Sequence, residues 1–227
     1  MSSFIKRVSS FFSRRGSIPP YAASYSQCGE DAVLAYFLRS DGISFSDVFY
    51  VDIGAYHPVC FSNTLLFYQA GAHGINIDCR PGSMVEFNRL RGRDTNLEIG
   101  ISDKSDQLTY YMYEGFMAAC NTFDPQLVKE RSYKPAVEQK IRTCPLDDVL
   151  KQYMPSEQQI TFLDIDVEGK EYEILKNFDF VTYHPKYILC EMLDRDIQGQ
   201  KGLWKLLADN SYHEVSHCAL TRIFKHE

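Results

Sequence analysis

Three carboxylates fall at alternate positions in Leu163-Asp164-Ile165-Asp166-Val167-Glu168-Gly169. A strand has a side-chain period of two, so they share one side for as long as the strand lasts, and negative charge crowds at its end. Such crowding raises at least one pKa unless a cation or hydrogen-bond donors neutralise it, and a raised carboxylate suits a general base. Lys170 is one candidate neutraliser. Asp166 is the first choice for the base, His57 the second because imidazole titrates near neutrality, and Glu168 the third. Against these stand plainer readings: a carboxylate bonded to backbone amides, and a histidine packed at a helix start before Pro58. A divalent cation on Asp164, Asp166 and Glu191 is a variant that would acidify a bound hydroxyl. It is not favoured, since acids alone make a poor metal signature, and no metal site is expected.

A second loaded stretch is Phe49-Tyr50-Val51-Asp52-Ile53-Gly54-Ala55-Tyr56-His57-Pro58. An apolar β-branched run that turns polar only at its end reads as a buried parallel strand, and ligands of open α/β sheets sit outside such ends. Gly54 lets a ligand approach the backbone. Gly74-Ile75-Asn76-Ile77-Asp78 is a second strand of the same kind, its acid about 24 residues after Gly54, the distance at which a carboxylate reaches a ribose hydroxyl. Asp52 and Asp78 should therefore end side by side, although a solvated strand-end acid would look the same. The dinucleotide fingerprint needs three glycines, and Tyr56, His57 and Pro58 occupy the places of the others. An adenosine ligand without a pyrophosphate fits better, and a nicotinamide-dependent oxidoreductase is disfavoured.

The elements that must position these residues alternate. A helix follows Ser26-Gln27-Cys28-Gly29-Glu30-Asp31, with Val33, Leu34, Phe37 and Leu38 on its apolar face. The next begins near Phe61-Ser62-Asn63-Thr64, where Ser62 or Asn63 can cap it and its amides can meet a carboxylate. A helix from Ser83 to about Leu90 leads to a third strand, Leu97 to Ile101, closed by Ser102 and Asp103. From Leu108 to about Cys144 the chain turns aromatic and β-prone, an insertion where an acceptor lid would belong; Tyr110, Tyr113 and Phe116 could stack on a ring or simply pack. Helices at 146–150 and 171–175, a strand at 187–192, an amphipathic helix around Leu203, Trp204, Leu206 and Leu207, and an antiparallel pair at 212–215 and 219–224 complete it. The fold predicted is α/β: a doubly wound, mostly parallel, Rossmann-like sheet with a C-terminal antiparallel hairpin.

At 227 residues, 44% of them apolar, one domain with a substantial core is expected, spanning 24–227 after a basic tail and linker at 1–23. In the tail, Phe4, Ile5, Val8, Phe11 and Phe12 would share a helical face beside Lys6, Arg7, Arg14 and Arg15. Peripheral membrane contact through 1–15 and a frayed terminus both remain open. The net charge of −6 argues against nucleic-acid partners. Seven cysteines with no Cys-x-x-Cys pair suit reduced thiols in a cytoplasm. No stretch suggests a transmembrane helix or a secretory signal.

In order along the chain, Ser26-Gln27-Cys28-Gly29-Glu30-Asp31, Val51-Asp52-Ile53-Gly54-Ala55, Phe61-Ser62-Asn63-Thr64, Gly74-Ile75-Asn76-Ile77-Asp78 and Ile165-Asp166-Val167-Glu168-Gly169 resemble the blocks of FkbM-type methyltransferases. The resemblance implies a class I methyltransferase sheet and S-adenosylmethionine as the methyl donor. It implies donor-binding roles for Asp52, Gly54, Ala55, Asn63 and Asp78, and for Gln27 and Asp31 at the amino-acid end. Ser102 and Asp103 would lie beside adenine, unless they form only a solvent-facing turn. The expected activity is O-methylation of a sugar, glycan or small metabolite. The alternative is a noncatalytic nucleoside-binding or membrane-docked scaffold of the same fold.

Overall fold

The computed structural model describes residues 24–192 and 197–227; the tail and linker predicted at 1–23 lie outside the described residues. In chain order the strands are β1 (Phe49–Ile53), β2 (His73–Ile77), β3 (Thr95–Leu97), β4 (Gly100–Ile101), β5 (Asp106–Met112), β6 (Val137–Cys144), β7 (Phe162–Ile165), β8 (Tyr187–Glu191), β9 (Tyr212–Cys218) and β10 (Thr221–His226). The helices are α1 (Glu30–Ser40), α2 (Leu65–Gln69), α3 (Met84–Leu90), α4 (Pro125–Glu130), α5 (Leu146–Tyr153), α6 (Glu171–Leu175), α7 (Phe180–Tyr183) and α8 (Ile197–Asp209).

Strands β1, β2, β7 and β8 are buried on both faces, as apolar runs joined by helical crossovers must be. They form the middle of one sheet of order β3-β2-β1-β7-β8-β10-β9, parallel from β3 to β8 and closed by the antiparallel β10 and β9. The strand period divides the core in two. Phe49, Val51, Ile53, Leu163, Ile165 and Ile188 pack with Val149 of α5, Ile174 of α6 and Leu207 of α8. Tyr50, Phe162, Tyr187 and Leu189 pack on the other face with Leu34 and Leu38 of α1 and Phe67 of α2. Helices on both faces make the predicted doubly wound α/β sheet, and β9 with β10 is the predicted C-terminal hairpin.

Two expectations change. The single third strand at 97–101 is two strands: β3 stays on the main sheet, and after Glu98 and Ile99 the chain crosses to β4, which pairs with β6 in a second sheet of order β4-β6-β5. Gly100 makes that crossing, because a β-carbon there would come within 2.8 Å of Thr143 Cγ2. The helix expected from Ser62 or Asn63 begins only at Leu65, with the Ser62 hydroxyl accepting the Leu65 amide at 3.1 Å.

Candidate functional site

The carboxyl ends of β1, β2 and β7 open onto a cleft with about 500 Å³ of atom-free space, part of it open to solvent. Gly54, Tyr56, Asp78, Cys79 and Asp166 line one side, and Ile99, Gly100, Ile101, Tyr110, Asn121 and Phe123 the other. Tyr110 and Phe123 rest against each other at 4.6 Å between centroids, their rings tilted by 41°, so the insertion supplies an aromatic wall. Asp78 is nearly buried; its Oδ2 accepts the Tyr56 amide at 3.0 Å and its Oδ1 the Arg80 amide at 2.7 Å. Each oxygen keeps a second lone pair, so a diol can still be bound. Burial raises the Asp78 carboxyl, and the Arg80 and Tyr56 amides oppose the rise.

Gly54 does more than clear room for a ligand. It adopts φ +88°, and a β-carbon on it would lie 1.8 Å from the Asp166 carbonyl oxygen. The Asp166 amide meanwhile donates to the Ile53 carbonyl at 2.9 Å. The glycine at the end of β1 thus seats the turn after β7, which carries Asp166.

A second cavity shares Asp166 and Ala119 with the first and is lined further by Gln27, Cys120, Arg131, Tyr133, Glu168 and Glu191. Oxygens of Asp166, Glu168 and Glu191 lie within 4.8 Å of one another. Arg131 neutralises one of them: its Nη2 meets Glu168 Oε2 at 2.5 Å, and its guanidinium sits 5.4 Å from the Tyr113 ring and 5.8 Å from that of Tyr133. Thr122 adds a hydrogen bond from its hydroxyl to the Glu168 carbonyl at 2.8 Å, holding Glu168 at φ 57°, a conformation that non-glycine residues rarely adopt. From the other side Glu171 accepts the Val167 and Gly169 amides, each at 3.1 Å. Asp166 stands in the open cleft yet is ringed by protein; that enclosure, with Glu168 and Glu171, holds its carboxyl well above the ordinary range. Burial and the Asp166 charge push Glu191 to about 11. Its Oε2 is buried without a partner.

Several expected site residues lie elsewhere. β7 stops at Ile165, so Asp164 does not join Asp166 and Glu168; it faces the α1 and α2 layer and accepts from Asn63 Nδ2 at 2.8 Å. The trio of Asp164, Asp166 and Glu191 suggested for a cation is therefore not assembled. Asn63 is spent on that bond and lines neither cavity. Asp52 shares Asp164's face and accepts from Thr64 at 3.3 Å, above the fully buried Arg91, which bonds Tyr50, Thr64, Asp94 and the Pro58 carbonyl. Burial pushes Asp52 up to about 7, with Arg91 pulling it back and Asp78 adding to the rise. Asp52 and Asp78 are neighbours as expected, but only Asp78 lines the cleft. Ala55 packs beneath it against Met84 and Phe87.

Asp31 accepts from Ser24, Ser26 and the Tyr25 and Ala32 amides, closing the loop before α1, whereas Gln27 lines the second cavity. The Ser102 hydroxyl donates to the Lys104 carbonyl at 2.7 Å and lies 2.8 Å from the Thr143 hydroxyl, and Asp103 pairs with Lys176 at 3.6 Å, so both are engaged in the turn. Ile99, Gly100 and Ile101 border the cleft instead, because the chain leaves the main sheet there. His57 accepts the Val59 and Cys60 amides through Nδ1 and turns Nε2 toward Glu86 at 3.6 Å, away from both cavities. The tight turn after Gly54 accounts for this. Of the three candidate bases, Asp166 and Glu168 border the second cavity. Arg131, Tyr133, Asn121, Phe123 and Glu171 escaped sequence reading; only Glu191, an acid at a strand end, left a signal.

Solved structures similar to the chain include a protein of Pyrococcus horikoshii to which RNA methyltransferase activity is ascribed, at 10% identity and TM-score 0.44, covering 100% of this chain and 98% of that one. A Podospora anserina methyltransferase solved with S-adenosylhomocysteine bound is 11% identical at TM-score 0.46, covering 100% and 96%. No curated protein matches the sequence. The fold rests on the sheet order, and the family on a sequence match to the methyltransferase FkbM domain over residues 52–215. That match takes in Asp78, Arg131, Asp166, Glu168 and Glu191 together, so the chain belongs to the FkbM methyltransferase family.

Proposed function

We propose that the chain transfers a methyl group from S-adenosylmethionine to a hydroxyl of a neutral acceptor, a sugar, glycan or small metabolite. The observation that carries this reading is that Asp166 borders both cavities, the one place where a donor in the first and an acceptor in the second could meet. The first cavity fits a nucleoside: Asp78 retains lone pairs for ribose hydroxyls, and Ile99, Ile101, Tyr110 and Phe123 offer a slot for a planar base. The bound donor supplies an electrophilic methyl group, and the chain must bring the acceptor oxygen into line and remove its proton.

Asp166 would take that proton, its raised pKa making it the stronger base once ionised. Charge selects the acceptor class. With Glu168 matched by Arg131, the cation described in its lining, Glu130 and the Asp166–Glu191 pair leave the second cavity acidic, which disfavours a phosphate or carboxylate and would keep an amine protonated and unreactive. A hydroxyl is neutral and needs a base. All seven thiols are free, which suits a reducing compartment, and we assign the reaction to the cytoplasm. Among the described residues no helix is long and apolar enough to cross a membrane.

The test is transfer of isotope-labelled methyl from S-adenosylmethionine across a panel of methyl glycosides, glycans, hydroxylated metabolites, amines and RNA. Labelling of a hydroxyl acceptor, reduced about 10²-fold or more in Asp166→Asn, is expected. Labelling confined to amines or RNA would refute the reading.

A further inference from the structure

Among the described residues no side-chain hydrogen bond or ion pair ties Glu191 to the fold. Among the described residues its Oε2 is buried without a hydrogen-bond partner, while its carboxylate lies within 4.8 Å of those of Asp166 and Glu168 and borders the same cavity. Arg131 is engaged by Glu168, so its charge is already matched, and among the described residues no other cation pairs with Asp166 or Glu191. Of the two residues common to both cavities, Ala119 carries no charge, so Asp166, with Glu191 beside it, is the ionisable group where the cavities meet.

We propose that Asp166 and Glu191 are specificity-determining residues that distinguish the positively charged methyl donor from its neutral thioether product. The inference rests on the donor assignment above. In the transfer the S–CH₃ bond breaks and an O–CH₃ bond forms. The sulfur keeps the electron pair and loses its positive charge, and the proton of the acceptor hydroxyl passes to the carboxyl pair. A negative pair facing a sulfonium becomes a protonated pair facing a thioether, and the site is balanced in both states. In the free chain, burial and neighbouring charge keep a proton on the pair, Glu191 standing at about 11. Entry of the sulfonium therefore drives that proton out, whereas entry of the thioether does not.

Calorimetric titration of the full chain with S-adenosylmethionine and with S-adenosylhomocysteine tests this. It is run in excess chelator and in two buffers of different ionisation enthalpy, on wild type, Glu191→Gln and Asp166→Asn. The expected result is that wild type binds the sulfonium about tenfold or more tightly than the thioether and releases protons to the buffer with the sulfonium only. Both isosteric variants should keep the thioether affinity, which shows that they fold, and lose the preference and the proton release. Equal affinities and equal proton release for the two ligands in wild type, or a preference that survives in both variants, would overturn this inference alone. Binding of neither ligand would end the donor assignment, and this inference with it.

Discussion

At the scale of single residues, two strand ends share the work of building the first cavity. Asp78 offers lone pairs into it, and Asp78→Ala should weaken S-adenosylhomocysteine binding by roughly 1.5–3 kcal/mol, the worth of hydrogen bonds to a charged group, as read by calorimetry. Gly54 works by being small. Gly54→Ala must place a β-carbon 1.8 Å from the Asp166 carbonyl at φ +88°, so the turn after β7 has to move. A stability loss of roughly 2–4 kcal/mol in urea unfolding is expected, together with loss of methyl transfer. That Gly54, Asp78 and Asp166 line one cavity was legible because they stand at the ends of recognisable strands. Asp31, Ser102 and His57 bond the local backbone, and Asn63 and Asp103 the side chains of Asp164 and Lys176, because a polar residue near a strand end or helix start meets protein partners as readily as a ligand, and spacing alone does not separate the two.

Among elements, the insertion between β4 and α5 is a clamp on the turn after β7. Two bonds tie it down: Arg131 to the Glu168 carboxylate and the Thr122 hydroxyl to the Glu168 carbonyl. Arg131→Met would leave a nearly buried Glu168 without its cation, and should cost roughly 2–4 kcal/mol while speeding amide hydrogen exchange in β5 and β6 before the main sheet. A second tie joins α1 to β8 and β10, where Lys225, Tyr187 and Lys186 hold Asp41 at about 2 against the effect of partial burial. With the unfolded carboxyl near 3.9, this stabilisation is fully present above about pH 4 and is lost as the pH falls toward about 2. Asp41→Asn should remove roughly 1–2 kcal/mol at pH 7 and flatten the acid limb of the unfolding curve. The insertion was readable as a separate aromatic, β-prone unit by its composition, but not its partners, since Arg131 and Glu168 are far apart in sequence and no local pattern links them.

Over the whole molecule, one edge of a doubly wound sheet gathers the residues of both cavities. Parallel strands β1, β2, β7 and β8 all end there, the crossover after β3 brings the second sheet across as a wall, and the two cavities meet at Asp166. The sheet could be anticipated because buried parallel strands are apolar throughout and end in acids. The split of β3 from β4 could not, because Leu97 to Ile101 reads as one apolar strand and only Gly100's close approach to Thr143 reveals the change of sheet. The central claim is that the first cavity holds a nucleoside methyl donor against Asp78. Its most direct measurement is the calorimetric titration of wild type and Asp78→Ala with S-adenosylhomocysteine: saturable binding to wild type, weakened about tenfold or more in the variant, is predicted. No heat of binding to wild type, or equal affinity in the two proteins, would contradict it.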